Sequence, residues 1–162
     1  NYEWKTKIIN KVNLAYKKTQ YYSEYFDKFK RILIESTNNL SELNISYILW
    51  MMKELHINTE IIMSSSMSVN GLGSEKIFNL CKYMNADTYL SGISGKDYLD
   101  TEKFLNNNIK INYQEFYHPI YNQGSDGFIP QISSIDSLFL MGNDAKNLIN
   151  DKWEHKINKL FK

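Results

Sequence analysis

The chain has 162 residues, of which 43% are hydrophobic and 14% aromatic, and its length suits one domain with a sizeable core. The formal net charge of +1 argues against a nucleic-acid-binding protein, because such proteins carry a basic face that follows the phosphates. A single cysteine, Cys81, excludes an intrachain disulfide. No apolar run reaches the ~18 residues of a membrane span, and no segment is typical of a signal peptide, so we expect a cytoplasmic protein.

Three helices are predicted at the start of the chain, over residues 3–17, 21–35 and 41–55. In the first two, apolar residues recur at steps of three and four, which is typical of an amphipathic helix. The third is apolar almost all round, which predicts a largely buried helix. Asn39 or Ser41 is expected to cap it, because a short side-chain acceptor can bond a free helix N–H.

Strands and helices alternate in the middle of the chain. The predicted elements are a strand over 58–63, a helix over 74–85 capped by Ser74, a strand at 88–90, a helix over 101–107 and a strand over 109–117. This order implies right-handed crossovers and a parallel sheet. The sequence therefore predicts an α/β fold: a small parallel sheet flanked by helices, with a helical N-terminal section.

An irregular loop and further helices are predicted after the last strand. Residues 121–131 contain two glycines and a proline, and a long loop of this kind is often functional. The other predicted features are a helix cap at Ser133 or Ser134, a helix end at Gly142, and helices over 145–149 and 153–161, the last packed on the body through Trp153, Ile157 and Leu160.

The central strand is followed by a bend of small residues, in which Ser91, Gly92, Ser94 and Gly95 are the candidate ligand contacts. Small residues let a backbone approach another group closely. In open α/β sheets, ligands bind beyond the carboxyl ends of the strands, which is where this bend is expected. The alternative, a solvated turn, remains open.

Charged and aromatic side chains come directly after the bend. Lys96 could neutralise a phosphate or could be an ordinary surface lysine. Asp97 could orient a sugar hydroxyl, polarise His118 or bind a metal, or it could cap a short helix over 96–99. Tyr98 could hold a polar ligand through its hydroxyl, or belong to the core.

His118 is the strongest single candidate for acid–base chemistry. It follows a predicted strand and precedes Pro119, so its backbone is expected to be extended. An imidazole can act as general acid or base near neutral pH, although a lone histidine is often structural. Four further residues could hold a polar ligand, although each could instead belong to the core: Tyr113, Gln114, Tyr121 and Gln123. Asp136 could assist the site, or it could interact favourably with the dipole of its own helix.

Several catalytic motifs are missing from the sequence. There is no CxxC, HExxH or Walker loop, and the bend does not fit the G-x-S-x-G elbow of serine hydrolases. We therefore predict no metal site, and a serine hydrolase is a poor interpretation.

Two motifs resemble the signature of the WbqC-like family. The first is ADTYLSGISGKDYLD at residues 86–100; the second is YQEFYHPIY at 113–121, followed by Gln123, by FIP at 128–130 and by SSIDSLF at 133–139. Upstream, Trp4, the LAY at residues 14–16 and the segment from Asn39 to Trp50 also look like that family. The resemblance covers most of the chain, which would be about the C-terminal two-thirds of a single WbqC-like domain over residues 1–162.

The resemblance also implies a fold class. The family normally has an earlier strand, a His-Gln-Pro type turn and a helix, which this sequence lacks. That strand would extend the sheet, and the turn looks like the nucleotide-binding turn of nucleotidylyltransferase-like or Rossmann-like folds, by analogy alone.

The resemblance further implies a pathway, because members of the family typically lie in gene clusters for bacterial surface polysaccharides such as O-antigen and capsule. We expect an enzyme of the bacterial cytoplasm that modifies a nucleotide-linked amino sugar by acyl or aminoacyl transfer to the amine, with ATP as a candidate cofactor. His118 would take the amine proton, and the amides of residues 91–95 would hold phosphate or the acyl oxyanion. The alternative is a non-catalytic sugar-nucleotide-binding or scaffold protein of the same pathway. The sequence leaves the oligomeric state undetermined.

Overall fold

The computed structural model describes residues 3–116, 118–124 and 127–149. Its elements in these residues are the helices α1 (Glu3–Tyr16), α2 (Tyr22–Glu35), α3 (Leu40–Glu54), α4 (Gly73–Tyr83), α5 (Thr101–Leu105) and α6 (Ile135–Met141), the strands β1 (Thr88–Ser91) and β2 (Lys110–Tyr113), and 3₁₀ turns at Ser64–Ser66, Ile93–Asp97 and Gly142–Lys146. The chain divides into two units, residues 1–59 with 118–162 and residues 60–117. Each unit has its own hydrophobic core.

The three N-terminal helices of the first unit lie where the sequence predicts them, to within a residue or two. The prediction that the third is largely buried is wrong, because Ile48 and Leu49 are 46% and 51% exposed. In α2, Tyr25, Phe29 and Leu33 are buried at intervals of four residues, so they form one face of the helix. Asn39 caps α3: its Oδ1 accepts hydrogen bonds from Ser41 N at 2.9 Å and Glu42 N at 3.4 Å.

Helix α6 lies at the centre of the first unit, because each of its first five residues, 135–139, is buried. The Phe139 ring is fully buried; it stacks on Tyr16 of α1 at 4.8 Å between ring centroids and meets the Tyr25 ring of α2 edge-on at 6.5 Å. These aromatic contacts join α6 to both α1 and α2. Stacked and edge-on aromatic pairs add to the stability that comes from burial alone.

A buried lysine fastens α1 to the end of α2. Lys5 is 3% exposed, and its Nζ donates to the carbonyl oxygen of Ser36 at 2.8 Å and to Ser36 Oγ at 3.0 Å. Ser36 is the residue that follows α2, so the ammonium group lies at the helix end where a positive charge is favoured.

The second unit is a β–α–β arrangement with parallel strands, which confirms the predicted small parallel sheet in an α/β fold. Thr88 pairs with Lys110 at one end and Ser91 with Tyr113 at the other. Phe104 of α5 is fully buried, with its ring 5.4 Å from that of Phe78 on α4. With two strands in the described residues, the sheet does not distinguish the nucleotidylyltransferase-like and Rossmann-like classes, which stay predictions.

Two local predictions for the second unit and the segment leading into it are wrong. Residues 58–63 form no strand, and Ile61 and Ile62 are each more than 40% exposed. In the described part of the chain the strands are β1 and β2, which pair with each other, so this apolar run has no strand partner there. Ser74 does not cap α4, which begins at Gly73 after Leu72. The Ser74 hydroxyl instead accepts a hydrogen bond from Asp100 N at 2.9 Å.

The predicted ending of α6 is confirmed. Gly142 follows the helix with a φ of 59°, and a side chain there would meet the Tyr21 ring, so both the backbone angle and the space require glycine. Ser134 precedes α6, but its side chain makes no capping hydrogen bond. Residues 147–149 are helical, as expected, and the predicted helix over 153–161 with Trp153, Ile157 and Leu160 lies outside the described residues.

The cap of α3 gives a first test of this architecture. We expect Asn39→Ala to lower the free energy of unfolding by about 1 kcal/mol, because two N–H groups of the helix lose their acceptor. Asn38→Ala is the matched control, since the neighbouring asparagine is exposed and makes no cap contact. Urea denaturation followed by circular dichroism measures both variants, and equal stability of the two would contradict this role of Asn39.

Candidate functional site

The bend after β1 is built on a close contact between Ser91 and Gly95. Ser91 is 2% exposed, and its hydroxyl donates to the carbonyl oxygen of Gly92 at 3.0 Å. Gly95 is buried, and a Cβ there would overlap the Ser91 hydroxyl and lie 3.0 Å from Leu99 Cδ1. Two of the four small residues predicted to bind a ligand are therefore interior parts of the bend, while Gly92 and Ser94 are exposed.

The carboxyl edge of the sheet brings Lys96 to Tyr113. The Lys96 Nζ lies 5.2 Å from the centroid of the Tyr113 ring, a cation–π distance. Tyr113 ends β2 and pairs with Ser91, so the aromatic ring and the bend lie at the same end of the two strands. Gln114 continues the pairing for one more residue, because its N–H donates to the carbonyl oxygen of Ser91 at 2.7 Å.

Asp97 and Tyr98 are both exposed after the bend. Asp97 is the last residue of the 3₁₀ turn. The cap of α5 is Asp100, whose Oδ1 accepts from Lys103 N at 3.1 Å. The alternative in which Asp97 caps a short helix over 96–99 is wrong, because the 3₁₀ turn there spans Ile93–Asp97, follows Gly92 and ends at Asp97. The predicted catalytic role of Asp97 stays a prediction.

An open groove of about 550 Å³ runs beside β2 and α5 in the same unit. Sequence reasoning did not find it, because a groove depends on how the side chains of α5 and β2 pack against each other. Tyr113 belongs both to the groove and to the Lys96 contact. The lining residues are Thr101, Glu102, Leu105, Asn108, Ile109, Lys110, Ile111 and Tyr113.

His118 and its neighbours belong to the first unit. His118 is exposed. Gln123 uses both ends of its side-chain amide on Ile129: Nε2 donates to the carbonyl oxygen at 3.0 Å, and Oε1 accepts from the N–H at 2.7 Å. The Gln123 amide thus closes the 123–129 loop.

Asp136 joins two tyrosines that are far apart in sequence. Its side chain is 6% exposed; Oδ1 accepts from the Tyr16 hydroxyl at 2.7 Å, and Oδ2 accepts from the Tyr121 hydroxyl at 2.8 Å. Burial raises the pKa of Tyr121 to about 12 and also raises that of Tyr16, so both phenols remain hydrogen-bond donors at neutral pH. No sequence signal identified this arrangement, since the Asp136 carboxylate was compatible with a simple helix-dipole role.

The predicted site residues fall into the two units described above. Ser91, Lys96 and the residues around them lie in residues 60–117, whereas His118, Tyr121 and Gln123 lie in the other unit. A shared cleft between His118 and the bend therefore stays a prediction.

The described residues contain neither a metal-binding group of side chains nor a helix that could cross a membrane. Within residues 3–116, 118–124 and 127–149, no three histidine, cysteine, aspartate or glutamate side chains are grouped so that they could hold a metal ion. None of the helices in that part of the chain is long and apolar enough to cross a membrane.

Comparison with known proteins identifies the family. The model of the WbqC-like protein family matches residues 1–148, and the chain belongs to this family. It is 26% identical over 149 residues to the uncharacterized protein Rv1507c of Mycobacterium tuberculosis, an alignment that covers 91% of this chain and 64% of that protein. The chain thus spans less than two-thirds of this relative's length. No solved structure matches the chain.

The contact inside the bend can be tested with two glycines. We expect Gly95→Ala to lower the free energy of unfolding by about 1–3 kcal/mol, because the added methyl group must displace the buried Ser91 side chain. Gly92→Ala is the control, since its Cβ would meet no atom within 4 Å and its φ of −62° suits alanine. Urea denaturation compares the two variants, and a neutral Gly95→Ala would show that the bend is loosely packed.

Proposed function

We propose that the protein acts in the biosynthesis of a bacterial surface polysaccharide, where it modifies a nucleotide-linked amino sugar. Membership of the WbqC-like family over residues 1–148 supports the pathway, because members of this family typically lie in gene clusters for such polysaccharides. The reaction that we favour is acyl or aminoacyl transfer to the sugar amine from a carboxylate activated by ATP. The amine nitrogen bonds to the acyl carbon, the activating phosphate group leaves, and the amine loses a proton.

The observation that carries this proposal is the exposed cation at the carboxyl edge of the parallel sheet. Lys96 is exposed directly after β1, beside the Tyr113 ring, and the exposed Ser94 precedes it in the bend. Ligands of α/β proteins bind at this edge. An ammonium group there can neutralise a phosphate, and a tyrosine ring offers a flat surface to a sugar or a base. A nucleotide-linked substrate has both kinds of group.

His118 is our candidate for the base that receives the amine proton. It is exposed, which leaves the imidazole accessible to a substrate. An imidazole is the side chain that most often acts as a general base in enzymes. Asp97 is the second candidate catalytic residue, as a carboxylate that orients a sugar hydroxyl or the imidazole. Exposed Tyr98 and half-buried Gln114 are candidate substrate contacts.

The test is a direct assay of transfer. The purified protein is incubated with a panel of nucleotide-linked amino sugars, ATP and carboxylic or amino acids, and the products are identified by mass spectrometry. We expect Lys96→Ala to lower kcat/KM about 10- to 100-fold, the usual effect of losing a charged contact to a phosphate. We expect His118→Ala to lower kcat about 100-fold or more, through loss of the base.

Lys82→Ala is the matched control for the lysine. Lys82 is exposed in the same unit, but it lies in the last turn of α4, before β1, and lines neither the bend nor the groove that contains Tyr113. We expect its rate to stay within about twofold of the wild type, because a distant surface charge is screened by salt. Equal losses in both lysine variants would contradict the proposed phosphate contact. Thermal stabilisation by a nucleotide sugar with no product would replace the enzymatic proposal with a binding or scaffold role.

A further inference from the structure

The Tyr16–Asp136–Tyr121 contact holds a charge inside the first unit. Asp136 lies on α6, where residues 135 and 137–139 are also buried. Each of the two carboxyl oxygens of Asp136 accepts a hydrogen bond from one tyrosine hydroxyl. Among the described residues, no lysine, arginine or histidine forms a salt bridge with it. Burying a carboxylate is costly unless hydrogen bonds replace its water, and the two tyrosines supply those bonds.

One of the two tyrosines belongs to the segment that carries His118. Residues 118–123 form neither helix nor strand, so no regular backbone pairing holds them. Ile120 is 79% exposed, whereas Tyr121 is half-buried and bonds Asp136. The Tyr121 ring also contacts Phe128 edge-on at 5.6 Å. Tyr121 is therefore a fixed point of this segment within the first unit.

The chain between the two residues is short and stiff. Pro119 follows His118 directly, and its ring fixes one backbone angle while restricting the residue before it. Two residues, Pro119 and Ile120, separate Tyr121 from His118, so a displacement of Tyr121 also changes where the imidazole can lie. The bond to Asp136 consequently limits where His118 can lie.

We propose that Asp136 is a positioning residue, which holds Tyr121 and through it the His118 segment against the helical unit. The inference rests on the proposed function only for the role of His118 as a base. The physical tether itself, a buried carboxylate that fixes a segment without regular structure, is independent of that role.

The test removes one hydroxyl at a time. Tyr121→Phe deletes the bond to Asp136 and keeps the ring contact with Phe128. Tyr22→Phe is the matched control: it deletes a phenol hydrogen bond of similar length, 2.6 Å to Asn13 Oδ1, in the same unit, and this hydroxyl does not bond Asp136. Asp136→Asn is the conservative third variant, because the amide keeps the size of the side chain but has a single acceptor oxygen.

Nuclear magnetic resonance of the full chain gives the readout. In Tyr121→Phe we expect the backbone order parameters of residues 120–122 to fall from about 0.85, typical of a rigid backbone, towards about 0.6. We also expect the imidazole resonances of His118 to shift and broaden, while those of His56 stay in place. Tyr22→Phe should leave the order parameters of residues 120–122 and the His118 resonances unchanged. A change of the same size in both variants would mean a general loss of stability and would overturn the tether.

The activity assay separates the two proposals. If the transfer reaction is detected, we expect Tyr121→Phe to lower kcat about 10- to 100-fold with KM unchanged, because misplacing a catalytic group by about 1 Å has effects of this size. Lower order parameters without any transfer reaction would support the tether and contradict the proposed function. Unchanged order parameters and His118 resonances would overturn the tether even if transfer were measured.

Discussion

The first unit depends on one buried helix that carries a charge. Because the first five residues of α6 are all buried, the Asp136 carboxyl group is largely shielded from water, and protein groups bond both of its oxygens. Those groups are the hydroxyls of Tyr16, whose ring stacks on Phe139 in the core, and of Tyr121, whose ring contacts Phe128. Tyr16 therefore serves twice, as apolar surface for the core and as a donor to Asp136. In the described residues, no buried side-chain nitrogen or oxygen lacks a hydrogen-bond partner.

The second unit depends on a different constraint, the close approach of backbone to side chain after β1. Gly95 lies against the Ser91 hydroxyl, and this contact turns the chain sharply enough to leave Ser94 and Lys96 exposed at the carboxyl edge of the sheet. The small residues of the bend therefore have divided roles. Two of them form its interior, and two face solvent where a ligand can approach. A polar, exposed edge beside the Tyr113 ring is the feature on which the proposed transfer chemistry rests.

The position of the bend after a strand could be predicted from the sequence, because the signals for both are local. The bend follows a strand signal, and the basic and aromatic residues follow the bend without interruption. The Asp136 contact could not be found in this way, since Tyr16 lies 120 residues from Asp136 and tyrosine is common in this chain. Gln123 was a plausible ligand contact by residue type, yet both ends of its amide bond Ile129. The residue type determines which hydrogen bonds a side chain can form, whereas the fold determines which partner it bonds.

The sequence by itself determined the helices and the two strands that pair, because periodic apolar residues, caps and glycines act over a few positions. Asn39 and Gly142 are clear cases, since each satisfies a backbone requirement of its own helix end. Only the tertiary structure decided that residues 58–63 form no strand, because a strand exists only where another strand accepts its backbone hydrogen bonds. It also decided which polar groups are inside. Burial depends on what packs over a residue, and the residues that cover Asp136 come from distant parts of the chain.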